Sequence, residues 1–153
     1  MIARALSLAL IASLAAGAAA AQDVDRAVKA RKSLMTLNSH YLGPLGAMAK
    51  GELAYDAEKA GKAAAALAEL ATFDQSAMWP QGSDQEALGA TATRALPKIW
   101  ATFPAIMEKS AALKSATANL ASAAGGGLDS LKAALGPVGA ACGGCHEEFR
   151  APN

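Results

Sequence analysis

Aromatic side chains are scarce in this 153-residue chain, at 5% of positions, and it has only two histidines and two cysteines. A core built on strands draws on aromatic and β-branched residues, and neither class is plentiful here. Alternating strand-like runs are missing as well. Nor is there an excess of charge: 14 Lys+Arg stand against 13 Asp+Glu, too even a balance for a nucleic-acid binder. What the chain does have is alanine, within a hydrophobic share of 53%. That share excludes a disordered tail, and the alanine favours closely packed helices.

Both cysteines lie in one motif, Cys142-Gly143-Gly144-Cys145-His146, close to the end of the chain. Cys-x-x-Cys-His is the attachment signal for c-type haem, in which two thiols add across the vinyl groups and the adjacent imidazole binds iron. On a helix the two sulfurs and the imidazole converge on one edge of a flat macrocycle. Three rival chemistries fit less well. Structural zinc wants four Cys/His ligands, and only His40 remains outside the motif. A thioredoxin-type pair belongs with a βαβ pattern that is missing. A plain disulfide leaves the histidine unexplained.

The start of the chain reads as an export signal. Arg4 gives a short positive region, Ala5 to Leu14 is apolar, and Ala18 to Ala21 is a run of small residues that predicts cleavage after Ala21. The apolar stretch is shorter than a membrane anchor requires, so no stable membrane span is expected after cleavage. Residues 1–21 are thus assigned to a signal peptide and residues 22–153 to one domain, exported to the bacterial periplasm, where haem of this type is attached. Loss of Arg4 with the leader leaves acidic and basic residues equal in number.

Within that domain the periodicity predicts four amphipathic helices. The first runs from Val24 to about Ala49, with a kink or a break at Gly43-Pro44, and stops at Lys50-Gly51. The second runs from Asp56 to about Phe73, with Ala60, Ala63, Ala66, Leu67, Leu70 and Phe73 facing inward. A long connection follows, with a short helical piece near Asp84 to Leu88 and with Met78 and Trp79 available to cover the core. Pro97 opens the third helix, which Ile99, Phe103, Ile106, Leu113 and Leu120 carry to about Ala124, with Pro104 as a potential kink. Gly125 to Gly127 end it. On the fourth, Leu128, Leu131, Leu135, Val138, Cys142, Cys145 and Phe149 alternate spacings of 3 and 4, which puts the cysteines at core positions. The expected fold is all-α: an antiparallel four-helix bundle with covalently bound haem in its core. Because the core is rich in alanine, the haem is expected to supply much of its filling, leaving the haem-free chain loose or unfolded.

A haem motif at the C-terminal end of a helical bundle resembles the class II c-type cytochromes, the cytochrome c′ family. The resemblance spans the mature chain through Leu45 to Glu52, Leu96 to Trp100, and Leu131-Lys132-Ala133-Ala134-Leu135 leading to Cys142 through Arg150. It implies one covalent haem c on Cys142 and Cys145, His146 as proximal ligand, and Arg150 as a basic residue beside the proximal pocket. The residue aligned with the distal position is Met35, also placed on the buried stripe. Similarity to the low-spin, methionine-ligated branch implies that its sulfur binds iron, giving a periplasmic one-electron carrier that meets redox partner proteins at the haem edge. If Met35 only packs, the iron is five-coordinate and admits a small diatomic gas such as nitric oxide.

Around these residues other assignments follow. Arg31, one turn before Met35, pairs with a haem propionate or is a solvated charge. His40 points to another face and reads as a surface residue, and Glu147 and Glu148 as a solvated helix end. Without an acid/base constellation, the chain is not expected to be an enzyme. Family members are often homodimers, and the small alanines here permit that close approach. The two glycines between the cysteines depart from the family's usual pattern and are expected to loosen the helix locally.

Overall fold

The computed structural model describes residues 2–152, with side chains from Gln22 to Pro152. Six α-helices occur among them: α1 (Ile2–Lys50), α2 (Ala57–Leu70), α3 (Gln85–Leu88), α4 (Lys98–Ala101), α5 (Phe103–Ala123) and α6 (Leu128–Phe149). The long ones form a ring in which α1 packs on α2 and α6, and α5 packs on the same two neighbours. This is the four-helix bundle expected from the periodicity. The side chains of the proposed leader, Met1 to Ala21, lie outside the described residues. Among those described, no helix is long and apolar enough to cross a membrane.

Each long helix ends for a visible reason. Helix α1 begins at Ile2 rather than at Val24 as expected, passes through Pro44 without a break and stops at Gly51, whose positive φ of 79° an L-residue would resist. There the Gly51 N–H donates to the Met48 carbonyl and the Glu52 N–H to the Ala47 carbonyl, the paired bonds of a Schellman stop. Asp56 caps α2 by accepting from the Lys59 N–H at 2.9 Å. Since α2 closes at Leu70, Phe73 leaves the helical phase and is 53% exposed rather than buried.

The third predicted helix is in fact two. Pro104 has no N–H to give to the Trp100 carbonyl and its ring would clash with that carbonyl in a continuous helix, so the chain leaves helical geometry at Thr102, with φ −125° and ψ 46°. The Thr102 hydroxyl donates to the Lys98 carbonyl at 2.9 Å, closing α4. This break rotates Phe103 outward, where it is 50% exposed, while Ile106 still faces the interior. Helix α6, by contrast, runs unbroken through Gly136-Pro137 and through Gly143-Gly144. The loosening expected between the cysteines does not occur.

Two apolar clusters fill the ring. The larger contains Leu45, Met48, Leu67, Leu120, Leu131 and Val138, all essentially inaccessible to solvent. Each such side chain contributes roughly 1.5–3 kcal/mol relative to exposure. Its closely packed alanines, Ala60, Ala64, Ala116 and Ala124, let the backbones approach. The smaller cluster joins Ile99, Ala95 and Phe149, with Trp79 and Trp100 packed against them. Cys142 of the motif packs at the edge of the larger cluster and Cys145 against the smaller one.

Tyr55 ties the two tight connections together. Its hydroxyl donates to the Ala124 carbonyl at 2.8 Å and accepts from the Gly127 N–H at 2.9 Å. Replacing it by phenylalanine strands two partly buried backbone groups. Tyr55→Phe is expected to lower unfolding stability by about 1–3 kcal/mol without altering the absorption spectrum. Urea titration of the haem-loaded protein followed by circular dichroism checks this.

Candidate haem site

The motif occupies the last two turns of α6, held in core phase by the stripe Leu131, Val138 and Phe149, each at most 3% exposed. Cys142 packs against the larger apolar cluster and Cys145 against the smaller one. A group tethered to both sulfurs therefore begins at the junction of the two clusters. The Gly144 backbone lies against α5: a Cβ added there would stand 3.7 Å from the Lys109 ammonium nitrogen.

Beyond the motif, the chain end is fastened to the long connection. The Leu96 N–H donates to the Phe149 carbonyl at 2.9 Å and the Ala151 N–H to the Arg94 carbonyl at 2.8 Å, a single antiparallel bridge between Ala95 and Arg150. Arg94 donates from its side chain to the Ala151 carbonyl at 3.0 Å. Glu148 receives Lys98 at 2.9 Å and Lys109 at 3.4 Å. These two ammonium groups hold its carboxyl below the ordinary range. Glu148 is thus more than a solvated helix end, unlike the exposed Glu147. The sequence showed these charges but not that α4 and α5 bring their lysines to one carboxylate.

The protonation states suit covalent haem attachment. Burial pushes the thiols of Cys142 and Cys145 up, the latter further through its neighbours Cys142 and Glu148 against the opposing charge of Lys109. Both are free cysteines. Each S–H would add across a vinyl group to give a thioether, sulfur to one carbon and hydrogen to the other. Burial, then the positive charges of Arg150 and Arg94, lowers the affinity of His146 for a proton. The imidazole is accordingly neutral at pH 7, with a lone pair to give to a metal. Among the described residues no group of three His, Cys, Asp or Glu side chains could hold a metal ion. One histidine beside two tethering sulfurs fits an iron whose other equatorial ligands come with its porphyrin.

Helix α1 carries Val28, Arg31, Met35 and Leu42 one or two turns apart. Val28 is buried and Leu42 packs on the larger cluster, yet Met35 between them is 41% exposed. The expected burial of Met35 is thereby corrected: Leu34 takes the core position, and a 100° step round the helix carries Met35 off it. The stripe is thus interrupted at the residue expected to be the distal ligand. His40 is exposed as expected, edge-on to Tyr41 at 5.0 Å between ring centroids.

Arg31 is not a solvated charge. It is 4% exposed, with one terminal nitrogen donating to the Ser83 hydroxyl at 2.7 Å and the Met78 carbonyl at 3.3 Å. The other donates to the Thr93 hydroxyl at 2.8 Å and to the Ser83 carbonyl. Its plane lies 4.8 Å from the centre of the Trp79 ring. Burial lowers its pKa and the charge of Asp84 partly offsets that. With the four terminal N–H groups engaged, only Nε–H is left for a propionate.

A groove of about 1000 Å³ runs elsewhere, between α1 and residues 81–92, lined by Val24, Val28, Lys32 and Leu88 among others. It shares no residue with the motif.

Comparison with known proteins agrees with this chemistry. A family model described as cytochrome C′ matches residues 26–150. The chain is 45% identical over 148 residues to cytochrome c-554 of Cereibacter sphaeroides, with 94% of this chain and 95% of that protein covered. A solved Rhodobacter cytochrome c′ superposes with a TM-score of 0.81 at 37% identity, covering 85% of this chain and 98% of that one. A ferrous variant of cytochrome c prime from Alcaligenes xylosoxidans with bound NO does so at 0.70 and 31%, covering 83% and 94%.

Since Cys145 joins the smaller cluster and Cys142 only the edge of the larger one, loss of haem should loosen the molecule unevenly. In a Cys142→Ala/Cys145→Ala variant, amide hydrogen exchange is expected to stay slow around Leu45, Leu67 and Leu120. It should accelerate by at least about tenfold in α4 and the last turns of α6. Uniform protection at wild-type levels would contradict that division.

Proposed function

The chain belongs to the cytochrome c′ family, and we propose that it is an exported one-electron carrier whose iron is held by His146 and, on the distal side, by Met35. Its cofactor is one covalent haem c, for which Cys142 and Cys145 provide the attachment motif. The haem, when bound, supplies the Fe(III)/Fe(II) couple. The rest is done by the chain's own side chains. The two thiols fix the macrocycle at the junction of the apolar clusters. His146 enters as a neutral ligand because burial, Arg150 and Arg94 disfavour its proton. Ile99, Phe149, Trp79 and Trp100 exclude water from the Cys145 side.

The observation that carries the distal assignment is the interrupted stripe of α1. Between Val28 and Leu42 on α1, Met35 is free of protein packing over 41% of its surface, which leaves its thioether available to a haem held by the motif. A thioether ligand stabilises the ferrous state and raises the potential. It also closes the sixth position, so that an electron passes without a ligand entering or leaving. We place the protein in the periplasm, after cleavage following Ala21. Its redox partners are assigned to brief encounters at the haem edge.

A second reading is favoured by the nitric oxide carried by the Alcaligenes relative. If Met35 only shields the iron, the same proximal side serves a five-coordinate haem that binds a diatomic gas. The two readings differ in one spectrum. Electron-carrier function with Met35 ligation is expected to give a weak far-red sulfur-to-iron band in the oxidised protein. Met35→Ala should abolish that band, produce a high-spin spectrum and allow ready nitric oxide binding. A wild-type protein that is already high-spin and takes up nitric oxide rapidly would favour the gas-binding reading.

A further inference from the structure

Arg31 lies one turn ahead of Met35 on α1, and its side chain reaches out of the helix into the connection between α2 and α4. Four acceptors there, the Met78 and Ser83 carbonyls and the Ser83 and Thr93 hydroxyls, take the four terminal N–H groups. The Ser83 hydroxyl in turn donates to the Pro80 carbonyl at 2.7 Å, and that of Thr93 accepts from the Ala95 N–H at 3.2 Å. The Trp79 ring under the guanidinium belongs to a residue whose carbonyl accepts from Trp100 Nε1 at 3.0 Å. Both tryptophans pack on the cluster that contains Cys145. A continuous set of contacts thus joins the distal helix to the helix end that bears the motif.

We propose that Arg31 is a positioning residue for the distal side, because its clamp on residues 78–93 fixes the rotation of α1 and with it the place of Met35. This rests on the reading that Met35 faces the distal side of the iron. Near Met35 the apolar restraint on α1 comes from Ala27, Val28 and Leu34, whose contacts fix the buried face but have no direction. A planar fork with four directed bonds restrains it well. The leverage is large: turning α1 by about 20° moves an atom roughly 6 Å from the helix axis by about 2 Å, enough to make or break an iron–sulfur contact. The clamp needs no contact with the haem.

The test uses the full-length haem-loaded protein and carbon monoxide, a probe of the sixth position in the ferrous state. Four proteins are compared: wild type, Met35→Ala, Arg31→Lys and Thr93→Val. Arg31→Lys keeps the charge but loses the fork, while Thr93→Val removes one acceptor from the far side of the clamp and leaves α1 untouched. Both are expected to weaken the far-red band and to speed carbon monoxide association by about tenfold, toward Met35→Ala, well below their melting temperatures. If both melt earlier yet keep the wild-type band and rate while Met35→Ala differs, the clamp is merely structural and the proposal is overturned. If Arg31→Lys does not load haem, Thr93→Val decides alone. If Met35→Ala itself matches wild type in band and rate, the distal reading of Met35 has failed, and the role given to Arg31 falls with it.

Discussion

Everything at the site depends on the burial of Phe149. It is the last residue of α6 and 3% exposed, wedged against Ala95 and Ile99, and its carbonyl accepts from the Leu96 N–H. A helix end ordinarily frays because its last carbonyls lack partners. Here an apolar anchor and a one-pair bridge after the helix prevent that. Cys145 and His146 therefore sit in a turn of α6 whose end is anchored by burial and by the bridge to residues 94–96. A ligand that must approach iron at a fixed angle cannot be placed on a fraying turn.

Around that anchor the charges have a consistent logic. Lys98 and Lys109 come from two helices separated by the Thr102 break and meet at Glu148. With both exposed in part, the ion pairs are worth little as energy and serve to set orientation. Arg94 and Arg150 act at longer range on His146, keeping a proton off the nitrogen that has to carry a lone pair. The break at Pro104 is thus part of the site: it lets α4 turn Ile99 and Lys98 toward the motif while α5 continues along the bundle.

Most of this architecture was legible in the sequence because it rests on periodicity and on stop signals. The stripe from Leu128 to Phe149, the helix starts near Asp56 and Asp84 and the glycine stops all act through local chemistry that needs no knowledge of the rest. Where the reading failed, a neighbour in space decided. Phe103 reads as core by spacing, but Pro104 ends the helical phase on which that spacing depends. Arg31 reads as a surface or propionate-pairing charge because no local pattern reveals that Ser83 and Thr93 will come to meet it. Met35 looked buried for the related reason that a stripe is wider than one residue, and only the tertiary contacts show that Leu34 takes the core position.

The two faces of the proposed iron site are consequently built on different principles. The proximal face is over-determined: two covalent tethers, a buried stripe, a bridge and two ion pairs all fix the same two turns of α6. The distal face depends on α1, whose phase near Met35 is set by Leu34, Val28 and the Arg31 fork. A molecule with this asymmetry can keep its haem under nearly any change on the distal side, since no distal contact is needed to retain it. What such a change alters is the sixth position alone. If Met35 is the distal ligand as proposed, a single side chain in α1, or a single acceptor in the loop that holds α1, would decide between carrying electrons and binding a gas, with the bundle and the attachment motif left as they are.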